Sequence, residues 1–194
     1  MEIRGDAEAL QLFRDAGASV TGDRVRFDAG HVRALCATAP RQFRQLARNP
    51  ANSVEIGGNH VVLAPTYGSP FVRDLEGGRR YGTLTDFENF VKLTYLTPEL
   101  HHSGGVICEP VDVPVPKRHL DIVYSHIKYS DKPFMGIVTA PERAEDTVKL
   151  AKLLFGDAFV GEKTVLTSVV NCNSPMVWDG TMLSALSVYA RNNQ

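Results

Sequence analysis

The chain has 194 residues, 43% of them hydrophobic and 22% charged, and its 21 Lys and Arg nearly balance its 22 Asp and Glu, leaving a net charge of −1. This is the composition of an ordinary globular domain rather than of a disordered tail or a coiled coil, and without a basic excess it argues against a partner read through its phosphates. The longest apolar runs, 61–64 and 136–138, fall far short of the roughly 20 residues that a membrane span needs.

The opening Met1-Glu2-Ile3-Arg4-Gly5-Asp6 lacks the apolar stretch of a secretory leader. The three cysteines (Cys36, Cys108, Cys172) are too scattered for a disulfide framework or a cysteine zinc site. Both features predict a cytoplasmic protein.

In chain order, Asp6 predicts a helix cap, with Leu10 and Phe13 on the apolar face and Gly17 as the stop. Asp28 predicts a second cap, for a stripe of His31, Val32, Leu35 and Cys36 halted before Pro40. Residues 41–48 read as helical or irregular. The period then becomes two: 53–56 and 60–64 around Gly57-Gly58-Asn59, and 71–74 and 79–82 around Leu75-Glu76-Gly77-Gly78, predict two β-hairpins. Thr85 with Glu88 predicts a capping box for a helix bearing Phe87, Phe90, Val91 and Tyr95 and ended by Pro98.

Beyond residue 100 a βα repeat begins. Strand-like runs at 105–108, 134–139 and 164–171 are each followed by a helical pattern. These helices are 117–129, with a stripe of Leu120, Val123, Tyr124 and Ile127; one from Pro141 to a stop at Gly156; and 176–191. Apolar strands alternating with amphipathic helices predict a parallel sheet, and no glycine-rich phosphate loop follows the first strand. The fold class expected is therefore α/β: about three βα units (103–194) as the front part of a (β/α)8 TIM barrel, short of completion by roughly 150 residues at about 30 per unit. Residues 1–102 are expected to form a helix and β-hairpin extension packed on it.

In such a barrel, function gathers at the carboxyl ends of the strands. Thr139 follows the second strand, and Asn171-Cys172-Asn173-Ser174-Pro175 follows the third with two amides and a hydroxyl. The alternative reading of that loop is plain helix capping by Asn173 or Ser174. Tyr67, among turn residues 65–70, either caps a pocket or staples two hairpins. Glu109 with Asp112 reads as a carboxylate pair or as solvated loop acids, His101-His102 as a weak metal pair, and His119 with His126 as a polar helix face.

Taken in series, Ala39-Pro40, Ala47-Arg48-Asn49-Pro50, Ile56-Gly57-Gly58, Gly68-Ser69-Pro70-Phe71-Val72-Arg73-Asp74, Gly78-Arg79-Arg80, Thr83-Leu84-Thr85-Asp86-Phe87, Asp131-Lys132-Pro133 and Asn171-Cys172-Asn173-Ser174-Pro175-Met176 resemble the trimethylamine methyltransferase family over about residues 7–190. The resemblance implies an enzyme that takes a methyl group from a tertiary or quaternary methylamine, such as trimethylamine or glycine betaine, and passes it to the cobalt(I) of a separate corrinoid protein. No cofactor or metal would be held by this chain itself, and S-adenosylmethionine would play no part.

On that footing Tyr67 is expected in a cage for the substrate cation. Asn171 and Asn173 are expected to orient a substrate carboxylate, with Thr139 on the same rim. Two other readings stand beside it. A Schiff-base lyase on the same barrel would need a lysine near a strand end, whereas Lys132 and Lys163 precede their strands. A non-catalytic fragment or interaction module would leave sheet edges open and is expected to self-associate.

Overall fold

A computed structural model describes all of residues 1–194. The chain opens with β1 (Glu2–Arg4), α1 (Ala7–Asp15), β2 (Ser19–Thr21), β3 (Arg24–Arg26) and α2 (His31–Cys36). Asp6 caps α1 as expected, accepting from the Ala9 amide at 2.8 Å. Gly30, in the left-handed region, takes the capping position of α2 in place of Asp28. The stripe of α2 finds no core: none of its residues is buried.

Next come β4 (Gln42–Gln45), β5 (Val54–Gly57), β6 (Phe71–Asp74), β7 (Gly78–Tyr81) and α3 (Leu84–Leu96). The hairpin β6–β7 forms as expected, with Phe71 opposite Tyr81. The other does not. β5 pairs antiparallel with β4, Gln45 opposite Val54, so 41–48 supplies a strand rather than a helix and 60–64 supplies none. Gly57 permits this: with φ +103, its Cβ position lies 3.0 Å from Gln42 Cα, a close approach between backbones. The capping box of α3 sits two residues earlier than expected, formed by Thr83 and Asp86.

The second half contains α4 (Val115–Tyr129), β8 (Phe134–Met135), α5 (Pro141–Phe155), α6 (Asp157–Glu162), β9 (Leu166–Thr167), β10 (Val177–Asp179) and α7 (Gly180–Arg191). β8 and β9 are parallel, with Phe134 opposite Leu166 and Met135 opposite Thr167. Residues 103–109 form no regular strand but run along β8, through Ser103 N–H to Pro133 O (2.8 Å) and Met135 N–H to Gly104 O (2.8 Å). The helix expected at 176–191 begins at Gly180, because Val177–Asp179 pairs parallel with β1 to complete the sheet β10-β1-β3-β2. The sheets are small and none is closed.

One main core spans both expected domains. Val72, Phe87 and Val91 pack with residues of the βα units, including Val123, Phe134, Ala144, Leu166 and Tyr189. A second cluster joins Ile3, Ala9 and Val25 to Leu183 of α7. The buried face of α4 differs from the expected stripe: His119, Ile122, Val123, Ser125 and His126 are buried, while Leu120 and Tyr124 are exposed. No helix is long and apolar enough to cross a membrane.

Candidate functional site

Tyr67 is seated by two consecutive glycines. Segment 65–69 lies beside 104–109, held by Gly68 N–H to Val106 O (2.6 Å), Glu109 N–H to Ser69 O (2.8 Å) and a parallel bridge between Ser69 and Cys108. Pro65 covers Gly104 and the Tyr67 ring covers Gly105. A Cβ at Gly104 would lie 2.6 Å from Pro65 Cγ, and one at Gly105 would lie 2.5 Å from Tyr67 Cε2. The residue keeps 45% of its surface exposed. Burial of the rest, reinforced by the charge of Glu109, pushes the phenol above its ordinary range, so it stays neutral. The chain's own cations stack on Phe71, Tyr95, Tyr124 and Tyr129, and none lies over Tyr67.

The other rim candidates have contacts of their own. Thr139 is exposed, its hydroxyl accepting from Arg143 Nη1 at 2.8 Å, and it lines a cavity shared with Glu109. Asn171 is exposed. Asn173 exchanges backbone hydrogen bonds with Val177 (2.7 and 2.8 Å), and its Nδ2 lies 3.4 Å from Asp179 Oδ2. Asp179, not Asn173 or Ser174, caps α7 by accepting from Met182 N–H, so the capping alternative for the loop fails. Cys108 is buried and its thiol is pushed up to about 11 by burial, which keeps it protonated and poorly nucleophilic.

Lys132 Nζ donates to the carbonyls of Thr94 (2.8 Å), Thr97 (3.0 Å) and Leu100 (2.7 Å), fastening the end of α3 and leaving no free amine for an imine. Asp131 accepts from Asn49 Nδ2 (3.1 Å) and Asn52 Nδ2 (2.6 Å). Arg80 pairs with Asp86 and Asp74, and the Arg80 contact holds the Asp86 carboxyl well below the usual range.

A buried polar knot at the amino ends of the strands was not expected. Gln45, fully buried, donates to Phe134 O (3.1 Å) and Val165 O (3.2 Å) and accepts from His102 Nε2 (3.1 Å) and Thr167 Oγ1 (3.2 Å). The Gly104 amide donates to His102 Nδ1, which fixes that tautomer. His126 donates from Nε2 to Gly105 O (2.9 Å) and accepts at Nδ1 from Ser103 Oγ (2.7 Å). Burial depresses both histidines, to about 3 and about 4, so both are neutral. His102 and His126 are thus structural, and no cluster of three metal-ligating side chains exists.

The model of the trimethylamine methyltransferase family matches residues 1–194. The glycine betaine methyltransferase of Desulfitobacterium hafniense (strain Y51) is 46% identical over 187 residues, which cover 96% of this chain and 39% of that protein. The chain therefore spans about two fifths of the length of this relative.

Proposed function

From the premise that the chain belongs to the trimethylamine methyltransferase family, we propose that it is part of a cytoplasmic methyltransferase acting on a tertiary or quaternary methylamine, trimethylamine or a glycine betaine-like compound. We further propose that its three βα units belong to a (β/α)8 barrel. The parallel pairing of β8 with β9, the alignment of 103–109 beside β8 and the intervening α4 and α5 support that architecture.

The observation that carries the functional reading is the Tyr67 ring, seated on Gly105 with no chain cation over it. A methylated ammonium group is attracted to an aromatic face by about 0.5–2 kcal/mol per contact. Tyr67 binds and orients the N–CH3 group, and the exposed amides of Asn171 and Asn173 orient a carboxylate on substrates that carry one. Thr139, committed to Arg143, has a weaker claim to that role. The methyl acceptor is the cobalt(I) of a corrinoid on a partner protein. It takes the methyl group in line, and the amine leaves with the electron pair of the broken N–C bond. For the imine alternative, Lys132 is taken up by three carbonyls at the α3 end.

The test is demethylation by the protein completed to its relative's length, with and without a reduced corrinoid protein. Methyl transfer is expected only with the corrinoid protein, and turnover without it would end the reading. Tyr67→Ala is expected to weaken binding of the amine by about 0.5–2 kcal/mol and Tyr67→Phe to retain most of it.

A further inference from the structure

A second site lies where the strand ends meet the helices. A cavity of about 170 Å³ opens between residues 106–109, 137–139 and the first turns of α4 and α5. That is room for roughly five waters at about 30 Å³ each, or for one small ion. Its wall carries Glu109, Arg118, His119, Thr139 and Arg143. Arg143 spends one N–H on Thr139 and has no carboxylate in ion-pair reach. Arg118 holds Val113 O through Nε (3.2 Å) and Nη2 (3.0 Å) and meets Glu109 only at a long 3.5 Å. Neither helix has a side-chain cap, and α4, unlike α5 with Glu142, has no acidic residue in its first turn.

The independent sign of a ligand is His119. It is 6% exposed, its Nε2 lies 3.0 Å from Asp146 Oδ2, and its Nδ1 is buried with no partner. A buried imidazole nitrogen is costly to leave unpaired, and this one belongs to the wall of a space flanked by two guanidinium groups.

We propose that this cavity binds a small oxyanion, a carboxylate or phosphate group, between Arg118 and Arg143. His119 Nδ1 supplies a third hydrogen bond. Because Nε2 faces Asp146, Nδ1 donates to the anion as one N–H of the imidazolium, whose other N–H stays on Asp146. The charged groups around the ring are Asp146, Arg143 and Lys149 (through Asp146, 3.1 Å) from α5, Arg118 from α4, and Glu109 from the strand end. Glu109 is the one repulsive group in the wall, and the anion displaces it from Arg118. The site does not use Tyr67, so it stands or falls separately from amine turnover.

The experiment is calorimetric titration of the full chain with inorganic phosphate and with acetate, each against chloride at equal ionic strength. Saturable binding is expected, weakened about tenfold or more by Arg143→Gln and little changed by Lys149→Gln. A preference for phosphate or for acetate identifies which group the site takes. Should a variant fail to fold, the His119 imidazole ¹⁵N resonances of the unmodified chain report the same event by shifting with phosphate or acetate and not with chloride. Binding no stronger than that of chloride, resonances that do not move, or equal affinities in the chain and a folded Arg143→Gln variant would overturn the proposal.

Discussion

Replacing Gln45 with leucine keeps nearly the same side-chain volume, so little of its cost is a cavity. What it removes is a pair of donors and an acceptor that satisfy Phe134 O, Val165 O, His102 Nε2 and Thr167 Oγ1. Thr167 is half-buried and its hydroxyl can turn elsewhere, which leaves three groups orphaned in the interior. At about 1–3 kcal/mol for each buried group left unpaired, with partial relief as neighbours shift, the loss is about 3–5 kcal/mol. That is a large share of the roughly 5–15 kcal/mol available to a domain. Urea unfolding followed by Trp178 fluorescence and by circular dichroism measures it, and the midpoint should fall without a change in slope. A loss below about 1 kcal/mol at unchanged slope would refute the claim that this amide ties β4 to the starts of the strands.

Acid should destabilise the fold. His126 is held near 4 by burial, against 6.5 in the unfolded chain, so between those values the unfolded state binds more protons and stability falls as pH falls, by about 1.4 kcal/mol per pH unit. By pH 4 the loss is about 3 kcal/mol. His102 acts in the same direction, and His126→Gln should flatten the acid limb of the stability curve. Lys132→Met should cost about 2–4 kcal/mol by freeing three carbonyls from a charged donor, and amide exchange should quicken in the last turn of α3 but not in α5. Gly105→Val should lift the Tyr67 ring from its seat, seen as a changed ¹⁹F resonance of fluorotyrosine at that position, while Gly161→Ala, with open space around it, should leave that signal alone.

The parts legible in the sequence are those whose partners are close in the chain. The helix α1 follows from its cap at Asp6, α3 from its apolar spacing with the cap displaced by two residues, α5 from its opening proline and its stop at Gly156, and β6–β7 from alternation about a tight turn. Gly57-Gly58-Asn59 misled for the opposite reason. It has turn chemistry, but the partner of β5 lies upstream in β4, whose Gln-Phe-Arg-Gln sequence carries too little apolar signal to read as a strand. β10 was hidden because its partner, β1, is at the other end of the chain. On α4 the apolar stripe was read out of phase, since His119 and His126 scored as polar while the groups that satisfy them (Asp146, Ser103, Gly105 O) lie on other elements. At the site, Tyr67 was legible as an aromatic out of place among turn residues. Its seat was not, because nothing local pairs Pro65 and Tyr67 with Gly104 and Gly105.

The motifs that carry the family resemblance divide by position. Asp131 grips Asn49 and Asn52, Lys132 closes α3, and Arg80 joins Asp74 to Asp86. Asp131 and Lys132 precede β8, on the side of the strand starts, where they bind the first hundred residues to the βα units. Those motifs therefore have a mechanical explanation that needs no substrate. Glu109 and the Asn171 loop follow their strands at the opposite ends, whereas Tyr67 sits on Gly105, where segment 65–69 is itself fastened to 104–109. Substitutions in the first group should act on stability and leave ligand affinity per folded molecule intact. Substitutions in the second should do the reverse, since their side chains are exposed or make few bonds within the fold.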